Sequence, residues 1–143
     1  MLIGIPSLLG PEFLAVLRAM GHGDEIALVD GNYPAAEHGR RLIRADGHDV
    51  ISVLDAVLSL MPVDDFVPDA MFRAVPAADP KRIDLVHADM IAVCAKRVPG
   101  KSLIGLEGGD FYPRVKAAYA VVATGEMRLH GNIILRKGII RRS

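Results

Sequence analysis

The sequence contains few of the residues and patterns that mark several large classes of protein. Of its 143 residues only Cys94 is a cysteine, so no internal disulfide can form and we expect a reducing compartment. Seventeen basic residues balance seventeen acidic ones, which leaves no global field to attract phosphate backbones or anionic membranes. We therefore expect neither nucleic acid nor a membrane as a partner.

Signals for export, membrane insertion and nucleotide binding are also missing. The N-terminus has no charged region and reaches Pro6 too early for the apolar core of a signal peptide, and no apolar stretch approaches the length of a membrane span. The glycine-containing segment 105–109 matches neither the Walker pattern nor GxGxxG. We therefore expect a cytoplasmic protein without a nucleotide cofactor.

Metal-binding and nucleophile motifs are absent, although suitable side chains are present. His22, Asp30, His38 and His130 are of types that bind metals, but no HExxH, CxxC or HxH spacing connects them. No serine or cysteine lies in a nucleophile elbow with an identifiable histidine partner. The sequence therefore predicts no metal site and no other cofactor.

What the sequence has is an unusually apolar composition for its length. Apolar residues make up 51% of the chain and the mean hydropathy is +0.30. Small monomers seldom have this much apolar surface to bury. The excess indicates either self-association or an ordinary core rich in alanine and valine, and composition alone leaves both open.

Helical and strand patterns alternate along the chain. This alternation predicts one α/β domain over residues 1–143, with a layered sheet flanked by helices. The predicted helices are 11–20, 50–61, 79–96 and 110–118, and the predicted strands are 25–29, 42–45, 70–75, 103–106, 119–123 and 132–135. A long polar loop is predicted after the first strand.

Two candidate site residues lie beside the first strand. Asp30 follows it directly, and the carboxyl ends of strands are where open α/β sheets place their ligands. His22 lies between two glycines just before the strand, where its imidazole has room to meet a ligand, and histidine as a residue type is suited to proton transfer in both directions. The alternative for His22 is a solvated turn residue.

A second polar stretch, 124–132, separates the last two strands. His130 and Asn132 are two residues apart, so in an extended chain they would share a face able to bind hydroxyl groups. The alternative is that Gly131 and Asn132 merely form a hairpin turn. Arg44 and Asp46 are predicted to form a structural ion pair. His38 is predicted to be a solvated residue of the long loop, and His48 and His87 belong to no evident constellation.

Several of these segments together resemble the fucose mutarotase / ribose pyranase family, and most closely its fucose branch. The matching segments are GHGDEI at 21–26, Asp30, IRADG at 43–47, FY at 111–112 with Arg114, TGE at 124–126 and GNIILRKG at 131–138. They run in order through almost the whole chain. Each segment alone is weak, but the combination is specific.

The resemblance implies a cofactor-free isomerase that opens and recloses the ring of a free sugar, with L-fucose as the expected substrate. His22 matches the family's catalytic histidine and Asp30 its hydroxyl-binding aspartate. His130, expected as the second catalytic group, stands where the family usually has tyrosine, before a matching Gly131-Asn132 that would bind substrate. Tyr112 is expected to pack against the sugar.

The resemblance also leaves questions of activity and assembly. Gly108 stands where the family has a side chain that holds the sugar, and Glu107, Asp110 or Arg114 are possible replacements. A sugar-binding or transport-accessory protein with little turnover and a pyranase acting on ribose are the alternatives. Family members assemble into rings or smaller homo-oligomers, so we expect a homo-oligomer, with a decamer among the implied forms.

Overall fold

The computed structural model describes all residues, 1–143, as one six-stranded sheet flanked by five helices. The strands are β1 Glu25–Val29, β2 Leu42–Ala45, β3 Met71–Val75, β4 Ile104–Glu107, β5 Ala120–Thr124 and β6 Ile133–Arg136. The helices are α1 Pro11–Ala19, α2 Ala35–His38, α3 Val50–Leu58, α4 Leu85–Arg97 and α5 Gly108–Ala117. The predicted α/β class with a layered, helix-flanked sheet is confirmed.

The strand order is β2-β5-β1-β6-β3-β4. Only β6 runs antiparallel to its neighbours β1 and β3, so the other five strands end at the same edge of the sheet. We call this edge, where β6 begins, the carboxyl edge, and the opposite edge, where β1 begins at Glu25 and β6 ends at Arg136, the amino edge. Because β1 lies between β5 and β6, these two strands do not form a hairpin.

The central strands are apolar throughout because helices cover both faces of the sheet. Ile26 and Leu28 of β1 belong to the larger core cluster, which also includes buried residues of α1, α3 and α4. Ala27 and Val29 belong to a smaller cluster with buried residues of α2 and α5. This two-sided burial explains the unbroken apolar run at 26–29.

Two helices end or begin at identifiable caps. Lys137 donates to the carbonyl groups of Leu17 and Met20, both at 2.6 Å, and so caps the C-terminal end of α1 from the far end of the chain. The Asp49 carboxylate accepts from the Ser52 amide at 2.8 Å and caps the N-terminus of α3. Both caps satisfy backbone groups that a helix leaves unpaired.

The sequence prediction was wrong about two segments. The helix predicted from residue 79 begins only at Leu85, because Asp84 stands at its N-cap and residues 79–82 form turns around Pro80. The predicted polar loop after β1 contains the short helix α2, which follows Pro34. No helix of the structure combines the length and the apolar character needed to cross a membrane.

Candidate active site

Asp30 lies at the carboxyl edge, held by the start of β6. Its backbone N–H donates to Asn132 Oδ1 at 2.8 Å, and its carboxylate Oδ1 accepts from the Asn32 amide at 2.9 Å. Asp30 and Asn132 are both buried, at 5% and 7% exposure. Since Asp30 Oδ2 accepts no hydrogen bond in the structure, it is available to a ligand hydroxyl.

The end of β5 closes the same edge. The Thr124 hydroxyl donates to the Val29 carbonyl at 2.7 Å, and the Gly31 amide donates to the Glu126 carbonyl at 2.8 Å. Three chain segments that are distant in sequence therefore meet at Asp30, as expected from the strand ends. These bonds fix backbone positions and leave the Asp30 carboxylate without an ionic partner.

His130 adopts a left-handed backbone conformation, with φ of 59°, directly before β6. The expectation that His130 and Asn132 share one face of an extended chain is therefore wrong, because His130 lies in a turn. Gly131 follows it because a Cβ there would lie only 2.8 Å from Glu126 Cγ. A left-handed non-glycine residue is strained, and such strain often occurs at functional sites.

The His130 side chain has an unsatisfied nitrogen. Nδ1 is the one buried side-chain nitrogen or oxygen of the chain without a hydrogen-bond partner, and Asp84 Oδ2 lies 3.9 Å away. An orphaned buried polar atom costs free energy unless a ligand or water pairs with it. Nδ1 itself is buried on the side of Asp84, whereas the side chain as a whole is 40% exposed, so a bound molecule would meet the other side of the ring.

His87, for which the sequence predicted no partner, is hydrogen-bonded to the backbone of His130. It is fully buried, its Nδ1 accepts from the Asp84 amide at 3.2 Å, and its Nε2 lies 3.0 Å from the His130 carbonyl. Nε2 therefore carries the proton and donates. Burial lowers the pKa of His87, so a neutral imidazole holds the strained residue in place.

Three rings flank Asp30 on the other side. The Tyr33 hydroxyl and His38 Nδ1 are hydrogen-bonded at 2.8 Å, and both rings lie 5.4 Å from the half-exposed ring of Tyr112. Burial raises the pKa of Tyr33, and the neighbouring Tyr112 and Asp30 raise it further, so its hydroxyl keeps the proton. A cavity of about 420 Å³ opens beside Asp30, Tyr33 and Thr124.

His22 lies at the amino edge. Its Nε2 is 3.0 Å from Asp64 Oδ1, and its ring is 4.9 Å from that of Phe66. Asp64 is fully buried and also accepts from Arg136 Nε at 2.7 Å. Burial alone raises the pKa of Asp64, but the bonds from Arg136, the Phe66 amide and His22 outweigh it and lower the pKa, so the carboxylate stays ionised.

The structure therefore separates the predicted site residues into two groups. Asp30, Asn132, Gly131, His130 and Tyr112 belong to the carboxyl edge, while His22 belongs to the amino edge. The five residues of β1 separate His22 from Asp30 by about 16 Å at the usual rise of a strand. One monosaccharide cannot contact both residues within a single chain.

Two of the remaining expectations concern Arg114 and the Arg44–Asp46 pair. Arg114 donates to both Glu25 oxygens, at 2.8 and 2.7 Å, and is therefore not free to replace a missing group at Gly108. No atom lies within 4 Å of where a Gly108 Cβ would stand. Arg44 and Asp46 form the predicted ion pair, with Nε 3.0 Å from Oδ2.

No group of three or more histidine, cysteine, aspartate or glutamate side chains lies close enough together to hold a metal ion. The side chains described above at the two edges offer imidazole rings, carboxylates, tyrosine hydroxyls and the Asn132 amide. Such groups bind hydroxyls and transfer protons.

Known proteins similar to this chain cover nearly its full length. It is 45% identical to the fucose mutarotase of Mus musculus, over 96% of this chain and 94% of that protein. It is 42% identical to the L-fucose mutarotase of Glaesserella parasuis, over 97% of this chain and 96% of that protein.

Solved structures agree with these sequence matches. The fucose mutarotase of Streptococcus pneumoniae in complex with L-fucose superposes with a TM-score of 0.90 at 38% identity, covering 98% of this chain and all of that one. The RbsD protein of Bacillus subtilis, complexed with D-ribose, shares the fold at a TM-score of 0.72 and 20% identity, over 93% of this chain and 95% of that one. Residues 3–140 match the RbsD / FucU transport protein family, and the chain belongs to that family.

Proposed function

We propose that the protein is a mutarotase that interconverts the α and β anomers of L-fucose by acid–base opening and closure of the sugar ring, without a cofactor. The observation that carries this proposal is the carboxyl edge, where the buried Asp30 carboxylate has a free oxygen, Asn132 binds the Asp30 backbone, and His130 lies two residues before Asn132. Relatives over 40% identical are named fucose mutarotases, which supports the substrate.

At the carboxyl edge the sugar hydroxyls would be recognised by Asp30 and Asn132. Asp30 Oδ2 accepts from a hydroxyl, and the Asn132 amide nitrogen donates to another, since its oxygen already holds the Asp30 backbone. Tyr112, 47% exposed, packs on the C–H surface of the ring. His130 exchanges a proton with the sugar through Nε2, the ring nitrogen that is not buried.

We further propose that His22 acts on a sugar held by a second copy of the chain. The separation of His22 from Asp30 by the length of β1 supports a site built at a boundary between copies. Asp64 is ionised and only accepts, so His22 Nε2 carries a proton and Nδ1 is left free. General acid–base help of this kind contributes about 10²–10⁴-fold in rate.

Self-association as a homo-oligomer, with a decamer as the largest expected form, belongs to the same proposal. Support comes from large apolar side chains left exposed near both chain ends: Met1, Leu2, Ile3 and Ile140. Surface of this kind is typical of contacts between subunits. We also propose that residues 1–143 act as one mutarotase-like domain and that the protein is cytoplasmic, in keeping with its single, buried, unpaired cysteine.

A sugar-binding protein with little turnover is the second candidate. It is favoured by Gly108, which offers no side chain at the carboxyl edge, and by His130, which reaches less far than a tyrosine. A pyranase acting on ribose is a variant of the first candidate, since the same acid–base groups serve both ring sizes.

Saturation-transfer NMR between the fucose anomers at neutral pH tests the proposal, with ribose as a second substrate. We expect rapid exchange with the native protein and loss of it in His22→Ala and in His130→Ala, while His48→Ala, an exposed histidine outside both groups, stays active. Saturable sugar binding without faster exchange would establish the binding protein instead. Exchange of ribose alone would establish the pyranase.

A further inference from the structure

A second cavity opens at the amino edge, and arginine side chains dominate its walls. Its volume is about 510 Å³. The guanidinium groups come from three parts of the fold, namely the segment between α2 and β2, helix α5 and the end of β6. The charged residues that line it are Arg40, Arg41, Arg114, Arg136, Asp24 and Glu25. Positive charge therefore exceeds negative charge on its walls.

Two of these four arginines are already paired with carboxylates. Arg114 forms a bidentate pair with Glu25, and Arg136 binds Asp64 beneath the cavity. Asp24 accepts from the Gly21 amide in the turn that carries His22. These contacts form a fixed ionic network along one side of the cavity.

The other two arginines have no acidic partner. Arg40 donates to the Ala117 carbonyl at 3.5 Å and Arg41 to the Tyr119 carbonyl at 3.2 Å, and neither guanidinium contacts a carboxylate. Each guanidinium has five N–H donors, so most of these donors remain free. The Arg41 guanidinium lies 3.9 Å above the Tyr119 ring, which fixes its plane.

We propose that this cavity binds a small molecule through a phosphate group. Guanidinium forks match phosphate oxygens bidentately, and a dianion offsets the charges of Arg40 and Arg41 together. The volume lies in the range of small-ligand sites, roughly 300–1,000 Å³. Because the chain has no net charge and the arginines surround a single cavity, a small ligand fits better than a polyanion.

The cavity is connected to His22 through two side chains. Arg136 binds one oxygen of Asp64, whose other oxygen binds His22. Gly23 brings the His22 turn against Arg136, since a Cβ at this residue, with φ of +87°, would lie 3.1 Å from Arg136 Nη2. A phosphate group that contacts Arg136 is therefore separated from the His22 ring by two side chains, Arg136 and Asp64.

Calorimetric titration of the native protein with inorganic phosphate tests the site, with acetate at the same ionic strength as the monoanion control. We expect saturable binding of phosphate, weaker binding of acetate, and a loss of phosphate affinity of about tenfold or more in Arg40→Gln and in Arg41→Gln. Arg44→Gln is the matched control, since Arg44 is an exposed arginine paired with Asp46 at the carboxyl edge. It should bind phosphate like the native protein.

Proton NMR of the His22 ring gives a second measurement that does not depend on the proposed sugar activity. Saturating phosphate should move the His22 signals in the native protein and in Arg44→Gln, but not in the double variant Arg40→Gln with Arg41→Gln. Both arginines are exposed, so the variants should melt at the native temperature.

Three binding results would overturn the proposal, and so would one change in assembly. They are the absence of saturable phosphate binding, equal affinity for acetate, and equal affinity in Arg41→Gln. A fall in molar mass of the double variant, measured by light scattering, would also overturn it, because the arginines would then bind carboxylates of a second copy.

Discussion

The two edges of the sheet are held together by different interactions. At the carboxyl edge, Asn132 and Thr124 bind backbone groups and leave the Asp30 carboxylate unpaired. At the amino edge, carboxylates and guanidinium groups pair directly, as Glu25 does with Arg114. The first arrangement fixes the chain around a free acceptor, while the second fixes charged side chains, and through Asp64 it also orients His22.

Under the proposed function, the two edges serve different parts of the reaction. Neutral hydrogen bonds at the carboxyl edge prepare a surface that recognises hydroxyl groups. The ionic network at the amino edge orients the His22 imidazole, to which the proposed function assigns proton transfer. Since β1 lies between the two edges, a single chain offers both parts of the chemistry but not at one location.

The largest expected effect comes from mixing two inactive variants. His22→Ala and Asp30→Ala should each lose sugar exchange, but subunits unfolded together and reassembled at equal amounts should recover about a quarter of the native rate, since a quarter of boundaries unite both intact edges. NMR exchange measures the recovery. Mixing His22→Ala with the doubly substituted chain is the control, and equal inactivity in both mixtures would place the whole site in one copy.

The next largest effect should separate two adjacent carboxylates at the amino edge. Asp64 is fully buried and binds Arg136 and His22, whereas Asp65 forms an exposed pair with Arg141. Asp64→Ala should therefore cost about 3 kcal/mol in the free energy of unfolding, because the half-buried Arg136 guanidinium then keeps only the longer contact with Glu25, at 3.9 Å. Asp65→Ala should cost much less, because water screens the exposed pair with Arg141. Urea unfolding measures both, and equal losses would contradict the assignment.

A pH-dependent effect should distinguish the carboxyl edge. Burial lowers the pKa of His87 in the folded chain, so below about pH 6.5 the unfolded chain binds a proton that the folded chain does not. The contribution of His87 to the free energy of unfolding should be complete above that pH and should decrease as the pH is lowered through it. His87→Gln, which keeps a donor for the His130 carbonyl, should reduce the fall measured by urea unfolding at pH 7.5 and 5.5. An unchanged fall would assign the effect to another group.

The smallest expected effect concerns the backbone of His130. Because His130 has φ of 59°, His130→Gly should be about 1 kcal/mol more stable than His130→Ala, which keeps the strained conformation. Both variants lose the imidazole, so they should be equally inactive. Thermal unfolding measures the difference, and equal melting temperatures would show that the turn relaxes around alanine.

The sequence predicted most of the elements because their signals are local. The apolar run at 25–29, Pro11 at the start of α1 and Gly21 just past its end each determine a strand or helix boundary within a few residues. The start of α4 was missed because a cap at Asp84 overrode helical composition upstream of it. Asp30 was found for a comparable reason, since its position after a buried strand is visible in the sequence.

The sequence did not reveal which residues support the site. His87 binds His130 across 43 residues, and Asp64 binds His22 across 42, with no spacing that marks either pair. His38 was predicted to be a solvated loop residue, but the helical turn of α2 brings it to Tyr33 and Tyr112. Contacts between residues this far apart in the sequence depend on the order of the strands.

By itself, the sequence determined the fold class, the family and the types of chemical group, because these follow from local patterns and from the identity of individual residues. Only the tertiary structure decided which groups meet. With β1 between β5 and β6, Asp30 joins Asn132 and Thr124 at one edge while His22 joins Asp64 and Arg136 at the other. The physical reason is that strand direction and order, set by burial of both faces of the sheet, decide which end of each strand a side chain occupies.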